Sequence, residues 1–91
     1  MATNTFTALG KTIKSTSKRR YAAVIEWEGY TFTSNYDGST HVVEGGIEID
    51  KRSDRLDVAI KGLHSFVSNP RFIRGVVVDV TTGEQFAELA R

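Results

Sequence analysis

The chain has 91 residues, 40% hydrophobic and 25% charged, with a net charge of +1 and no cysteine. That is the size and composition of one globular domain with a single core. It excludes a disulfide framework and thiolate chemistry, and no run approaches the ~18 apolar residues of a membrane-spanning helix. Without cysteine, stability must come from packing, and a cytoplasmic setting is expected. Met1 to Thr5 lacks the basic and apolar regions of a secretory signal. Charge is unevenly placed. Residues 1–20 carry Lys11, Lys14, Lys18, Arg19 and Arg20 and no acid, a charge of +5, whereas residues 21–91 hold seven bases and eleven acids, a charge of −4. A basic segment on an acidic body hints at a partner.

Residues 1–20 form a basic, Ser/Thr-rich segment ahead of a single domain at 21–91. Phe6, Leu9 and Ile13 fall at i, i+3 and i+7, one helical face, but Gly10 and many threonines weaken a helix. A short, weak element followed by a mobile basic linker is expected. Tyr21, Ala23, Ile25 and Trp27 then alternate with Ala22, Val24, Glu26 and Glu28, the period of a half-buried strand. Glu28-Gly29 can form a two-residue turn, pairing Trp27 with Tyr30 and Ile25 with Phe32. Asp37-Gly38 is a second hairpin signal. It sets Phe32 against Val43, Ser34 against His41 and Tyr30 against Gly45, and extends the same face to Ile47 and Ile49. On this register Ile25, Phe32 and Val43 share the inside face, and Phe32→Ala costs ~3–5 kcal/mol.

Ser53 or Asp50 can cap the next element. Leu56, Ala59, Ile60, Leu63, Phe66 and Val67 make the apolar stripe of a core-facing helix, ended by Asn69-Pro70. Arg71 to Val80 reads as a strand, Thr82-Gly83 as a turn, and Gln85 to Ala90 as the returning strand. That pairs Val76 with Leu89 and Val78 with Ala87. The expected fold is α+β: a mostly antiparallel sheet in the order β-β-β-α-β-β, with one amphipathic helix packed on one face, after the short N-terminal element.

No HExxH, phosphate loop or EF-hand spacing occurs. Ser34 opposite His41 is a conceivable nucleophile pair, but no carboxylate orients the imidazole and no oxyanion donors accompany it. His64 lies at the edge of the helix stripe. Glu26, Glu44 and Glu48 read as solvated charges that discourage sheet pairing. No catalytic residue, metal ligand or cofactor is expected.

Three surfaces remain. Lys11, Lys14, Lys18, Arg19 and Arg20 suit a nucleic-acid backbone or an acidic protein face. Trp27 and Tyr30 beside Gly45-Gly46 suit a flat ligand or a partner side chain. Ala22, Val24, Val42, Ile73, Val77 and Phe86 make the outer sheet face too apolar to stand bare. Either Phe6, Leu9 and Ile13 fold over it, or a homodimer forms through Val42, Val77 and Phe86. These features point to a small non-enzymatic binding protein that acts through its basic segment and an apolar sheet face, with a protein or nucleic-acid partner. One alternative is a nucleic-acid-binding module. Another is a phage-type inhibitor, anti-CRISPR-like or otherwise anti-defence, that docks on a host protein or sequesters a small ligand; lone cysteine-free domains without a catalytic motif are common among such proteins.

Overall fold

The computed structural model describes residues 3–15 and 18–91. Its centre is an antiparallel four-stranded sheet in the order β6-β3-β7-β8, formed by β3 (Tyr21–Trp27), β6 (Gly46–Ser53), β7 (Phe72–Asp79) and β8 (Gln85–Ala90). One helix, α1 (Leu56–Phe66), covers one face. The fold is therefore α+β, as the periodicities predict. The middle of β3 is buried on both sides, which is why Ala22, Ala23, Val24 and Ile25 run without a polar interruption.

The helix side of the core joins Ala23, Ile25, Phe72 and Val77 to Ala59 and Leu63, with Leu56, Ile60, Phe66 and Val67 packed around them. This is the predicted stripe. Gly75 allows the close approach, since a Cβ there would lie 2.5 Å from Leu63 Cδ1. The helix start differs from expectation. Arg55 occupies the N-cap without a side-chain cap bond. Ser53 Oγ accepts instead from the Arg55 N–H, 3.1 Å, and Asp50 is held on β6 by Trp27.

The opposite face is covered by the N-terminal segment, which is a hairpin and not a weak helix. Strands β1 (Asn4–Ala8) and β2 (Lys11–Ser15) pair Phe6 with Ile13 around Leu9-Gly10. Both turn residues have positive φ, 54° and 78°, as a primed two-residue turn requires. The i, i+7 spacing of Phe6 and Ile13 is satisfied by symmetry about that turn. Phe6 and Ala8 bury against Ala22, Val24, Val76, Val78 and Val80. Among the described residues, three side-chain bonds fasten the hairpin to the sheet: Arg74 Nη2 to Leu9 O, Gln85 Nε2 to Thr7 O and Lys11 Nζ to Ile47 O. The core thus crosses the boundary placed at residue 20. Residues 16 and 17 of the predicted mobile linker lie outside the described residues.

The expected turn at Glu28-Gly29 does not form. These residues do not turn β3 back on itself, because both edges of β3 are occupied by β6 and β7. The chain runs on into β4 (Tyr30–Thr33), which pairs with β5 (Thr40–Val43) as a separate two-stranded sheet. Trp27↔Gly46 and Tyr30↔Val43 keep one register, so β3–β4 and β5–β6 form one long ribbon. Its inner half belongs to the main sheet and its outer half stands clear as an arm. The principal extents are 47 × 28 × 21 Å and the radius of gyration is 15.0 Å, against about 12 Å for a compact chain of this length. Gly29 and Gly45 mark the junction. A Cβ on Gly29 would come 2.8 Å from Gly45 N, and one on Gly45 would strike Trp27 O.

The arm closes through a six-residue loop, not a two-residue turn. Ser34 N–H donates to Ser39 O (2.8 Å), and Gly38 has φ +73°. Phe32 therefore faces His41, not Val43, a shift of two residues that keeps Phe32 and Val43 on one face of the arm. That face is exposed and not inside with Ile25, and Ile47 and Ile49 pack with Val24 on the hairpin side of the sheet, away from the Ile25 cluster. At the other hairpin the shift is one residue before a bulge and two after it. Gly75 faces Leu89 and Val77 faces Phe86, with a bulge beside Ala87 at φ 48°. Val77 is on the helix side because β7 pairs with β3 and sets it opposite Ala23, and Phe86, opposite Val77, shares that side.

Candidate functional site

Among the described residues, all the exposed large apolar side chains but Ile73 on β7 belong to the arm. Tyr30, Phe32 and Val43 lie on one face, 38%, 45% and 38% exposed, and Val42 on the other face is 71% exposed. Tyr36 in the loop is 99% exposed. A two-stranded hairpin is marginal alone in water, and this one is held by a line of stacked groups. The Arg71 guanidinium lies 4.1 Å from the Tyr30 ring centroid, Tyr30 stacks on Phe32 at 6.0 Å, and Phe32 stacks on His41 at 5.1 Å. The backbone helps at the base, where Glu28 N–H donates to Arg71 O at 2.8 Å.

At the foot of the arm is a cleft of about 430 Å³, within the range of small-molecule and side-chain sites. The predicted platform residues Trp27, Tyr30, Gly45 and Gly46 all line it. Trp27 is anchored by edge-to-face contacts with Phe66 (5.9 Å) and Phe72 (6.4 Å). Its indole N–H donates to Asp50 Oδ2 at 2.8 Å. Burial pushes the Asp50 carboxyl above its usual value; the indole bond opposes this, and the charge of Glu48 adds to it. Glu28, Glu44, Glu48 and Asp50 give the cleft four carboxylates against two cations, Lys11 and Arg71. Sequence reasoning missed Arg71 and the Glu48–Asp50 pair as cleft residues. The signal for the acidic pair was the charge bias: residues 21–50 hold six acids and no lysine or arginine.

The basic segment does not form one free patch. Arg20 Nε donates to Asp79 Oδ2 at 2.9 Å, and Arg19 Nη1 meets Asp54 Oδ2 at 2.6 Å. Asp79 is a structural anchor. Burial alone would raise its pKa, but the Thr81 hydroxyl (2.6 Å) and N–H (2.9 Å), together with Arg20, outweigh it and hold the carboxyl at about 2. Lys11 and Lys14 fall on opposite faces of β2, and Lys11 is drawn toward the cleft.

The predicted apolar interface of Val42, Val77 and Phe86 is not one surface. Val77 is fully buried under α1, and Phe86 is half-buried there with its ring 6.1 Å from Tyr21. Val42 alone of the three is exposed, and it is on the arm. Ala22 and Val24 are covered by the β1–β2 hairpin, one of the two expected outcomes.

His41 pairs with Ser39 rather than Ser34. His41 Nε2 and Ser39 Oγ are 2.8 Å apart, while Ser39 Oγ donates to Asp37 Oδ1 at 2.6 Å. These Ser39 bonds hold the Asp37 carboxyl below its usual value. The serine proton is thus directed at the carboxylate and the imidazole must donate, the reverse of a base activating a nucleophile. Among the described residues no group of three or more His, Asp or Glu is placed to hold a metal ion, and no helix is long and apolar enough to cross a membrane. The chain matches no family model, no curated protein and no solved structure.

Proposed function

We propose that this is a non-enzymatic interaction protein whose binding surface is the β4–β5 arm together with the cleft at its base. The observation that carries this reading is the exposure of Tyr30, Phe32, Tyr36, Val42 and Val43 on one projecting element. Apolar exposure concentrated in this way, beside a formed cleft, is characteristic of a recognition surface. Aromatic anchors of this kind dominate binding energy where they become desolvated. The nucleic-acid reading has less support, because Arg19 and Arg20 already face Asp54 and Asp79.

Site-specific photo-crosslinking tests the reading. A photoreactive phenylalanine is placed at Tyr36 or Val42 on the arm, at Lys14 or Lys18 in the basic segment, and at Glu88 on β8 as a control. In lysate from the native cell, the arm positions should give a discrete protein adduct that survives nuclease. Adducts confined to Lys14 and Lys18 and lost with nuclease would instead support nucleic-acid binding.

A further inference from the structure

The chemistry of the partner follows from the charges around the arm. Residues 21–50 contain Glu26, Glu28, Asp37, Glu44, Glu48 and Asp50 and no lysine or arginine. Glu26 is matched by Arg74, and Asp50 accepts from the Trp27 indole. Glu28, Asp37, Glu44 and Glu48 are exposed and enter no ion pair among the described residues. They are spaced from the cleft to the tip of the arm, alongside the apolar face of Tyr30, Phe32 and Val43. Such a surface repels polyanions and attracts cations over about 8 Å at ~0.15 M salt.

The basic segment of a second copy is a poor match. Of its N-terminal cations, Arg19 and Arg20 face Asp54 and Asp79, and Lys11 binds the Ile47 carbonyl. The cleft also offers what a guanidinium or ammonium group needs. It has room for a side chain, four lining carboxylates against the two cations Lys11 and Arg71, and the Trp27 ring. Arg71 lying over Tyr30 is an internal example of a cation against an aromatic ring.

We propose that the arm and its basal cleft receive a protein segment of mixed cationic and apolar composition. An arginine or lysine side chain seats in the cleft beside Trp27 and the carboxylates of Glu44 and Glu48. Apolar neighbours of that side chain lie along Tyr30, Phe32 and Val43. The inference rests on the arm being the binding surface and adds the composition of what binds.

The intact chain provides its own reporter, because Trp27 is the only tryptophan and lines the cleft. Three blocked six-residue peptides serve as probes, alternating leucine with arginine, with glutamine or with glutamate. Binding is read by Trp27 emission and by amide shifts of residues 30–46 in a nitrogen-15 spectrum. The arginine peptide should bind saturably and lose affinity as salt rises. It should bind roughly tenfold more weakly to the Glu28→Gln/Glu44→Gln variant and to Phe32→Ser, both at exposed positions and both checked for a retained cooperative thermal transition well above the assay temperature. The glutamine peptide should bind at least roughly tenfold more weakly than the arginine peptide, and the glutamate peptide not at all.

Equal binding of the arginine and glutamine peptides, lost in Phe32→Ser, would overturn the cationic requirement and leave the arm as the binding surface. Arginine-peptide binding unaffected by Phe32→Ser would remove the arm itself. No shift with any peptide would refute the proposed composition. Concentration-dependent self-association abolished by Phe32→Ser would make a second copy the occupant.

Discussion

Phe32 separates a residue kept for folding from one kept for binding. A buried phenylalanine cut to alanine costs ~3–5 kcal/mol, and Phe72, 1% exposed between the sheet and α1, should pay that amount. Phe32 is 45% exposed and touches the Tyr30 and His41 rings of an arm that is itself solvated. About half the transfer term remains, and relaxation of the open arm leaves no cavity, so Phe32→Ala should cost about 1 kcal/mol. A domain of this length has a total stability of about 5–14 kcal/mol, so the two outcomes are easily distinguished in urea melts. Phe32→Ala should shift the midpoint slightly with an unchanged slope, and Phe72→Ala should shift it several times further. A loss above ~3 kcal/mol for Phe32→Ala would mean that the arm packs against the body, and the reasoning would fail.

Acid unfolding should reveal Asp79. Its folded pKa of about 2 lies below the usual carboxylate value of 3.8, so its contribution is complete above pH ~4 and fades as pH falls toward 2. Allowing for solvent around Arg20, this is about 1–2 kcal/mol, and Asp79→Asn should flatten the stability profile between pH ~4 and ~2. Ser15 Oγ is buried with no hydrogen-bond partner among the described residues. Ser15→Ala should therefore raise stability by about 1 kcal/mol in a thermal melt; a loss of that size would reveal a partner. Gly75→Ala places a methyl 2.5 Å from Leu63 Cδ1 and should cost about 1–3 kcal/mol, part of it recovered by shortening Leu63 to valine in a double-mutant cycle.

Much of this architecture is legible from residue order. The α1 stripe, the strand at 21–27 and the returning strands at the C-terminus follow from their periods. The path after Trp27 does not. Glycine at 29 suits a tight turn or a close backbone crossing equally well, and the choice is made by β7 occupying the edge of β3 from 45 residues away. The Asp37-Gly38 signal marks the right loop, but its length decides the register. Its two-residue shift keeps Phe32 and Val43 on one face but cannot say that the face is exposed, and the side taken by Val77 and Phe86 is set by the long-range pairing of β7 with β3, Val77 opposite Ala23. Trp27, Tyr30, Gly45 and Gly46 could be grouped because the ribbon brings its two strands together wherever the turn lies. Arg71 could not, since it reaches the cleft only through the start of β7.

If the arm is the binding surface, it can be removed from the fold but not from the interaction. Replacing residues 29–44 by Asn-Gly joins Glu28 to Gly45 and keeps the Trp27↔Gly46 pair that ends the inner ribbon. Circular dichroism should show the shortened chain still folded, with a cooperative melt. The decisive measurement is competition against the Tyr36 photo-adduct. An excess of unlabelled intact chain should abolish the adduct, and the same excess of the shortened chain should leave it intact. Abolition by both would place the binding surface on the body of the protein and contradict the arm as its site.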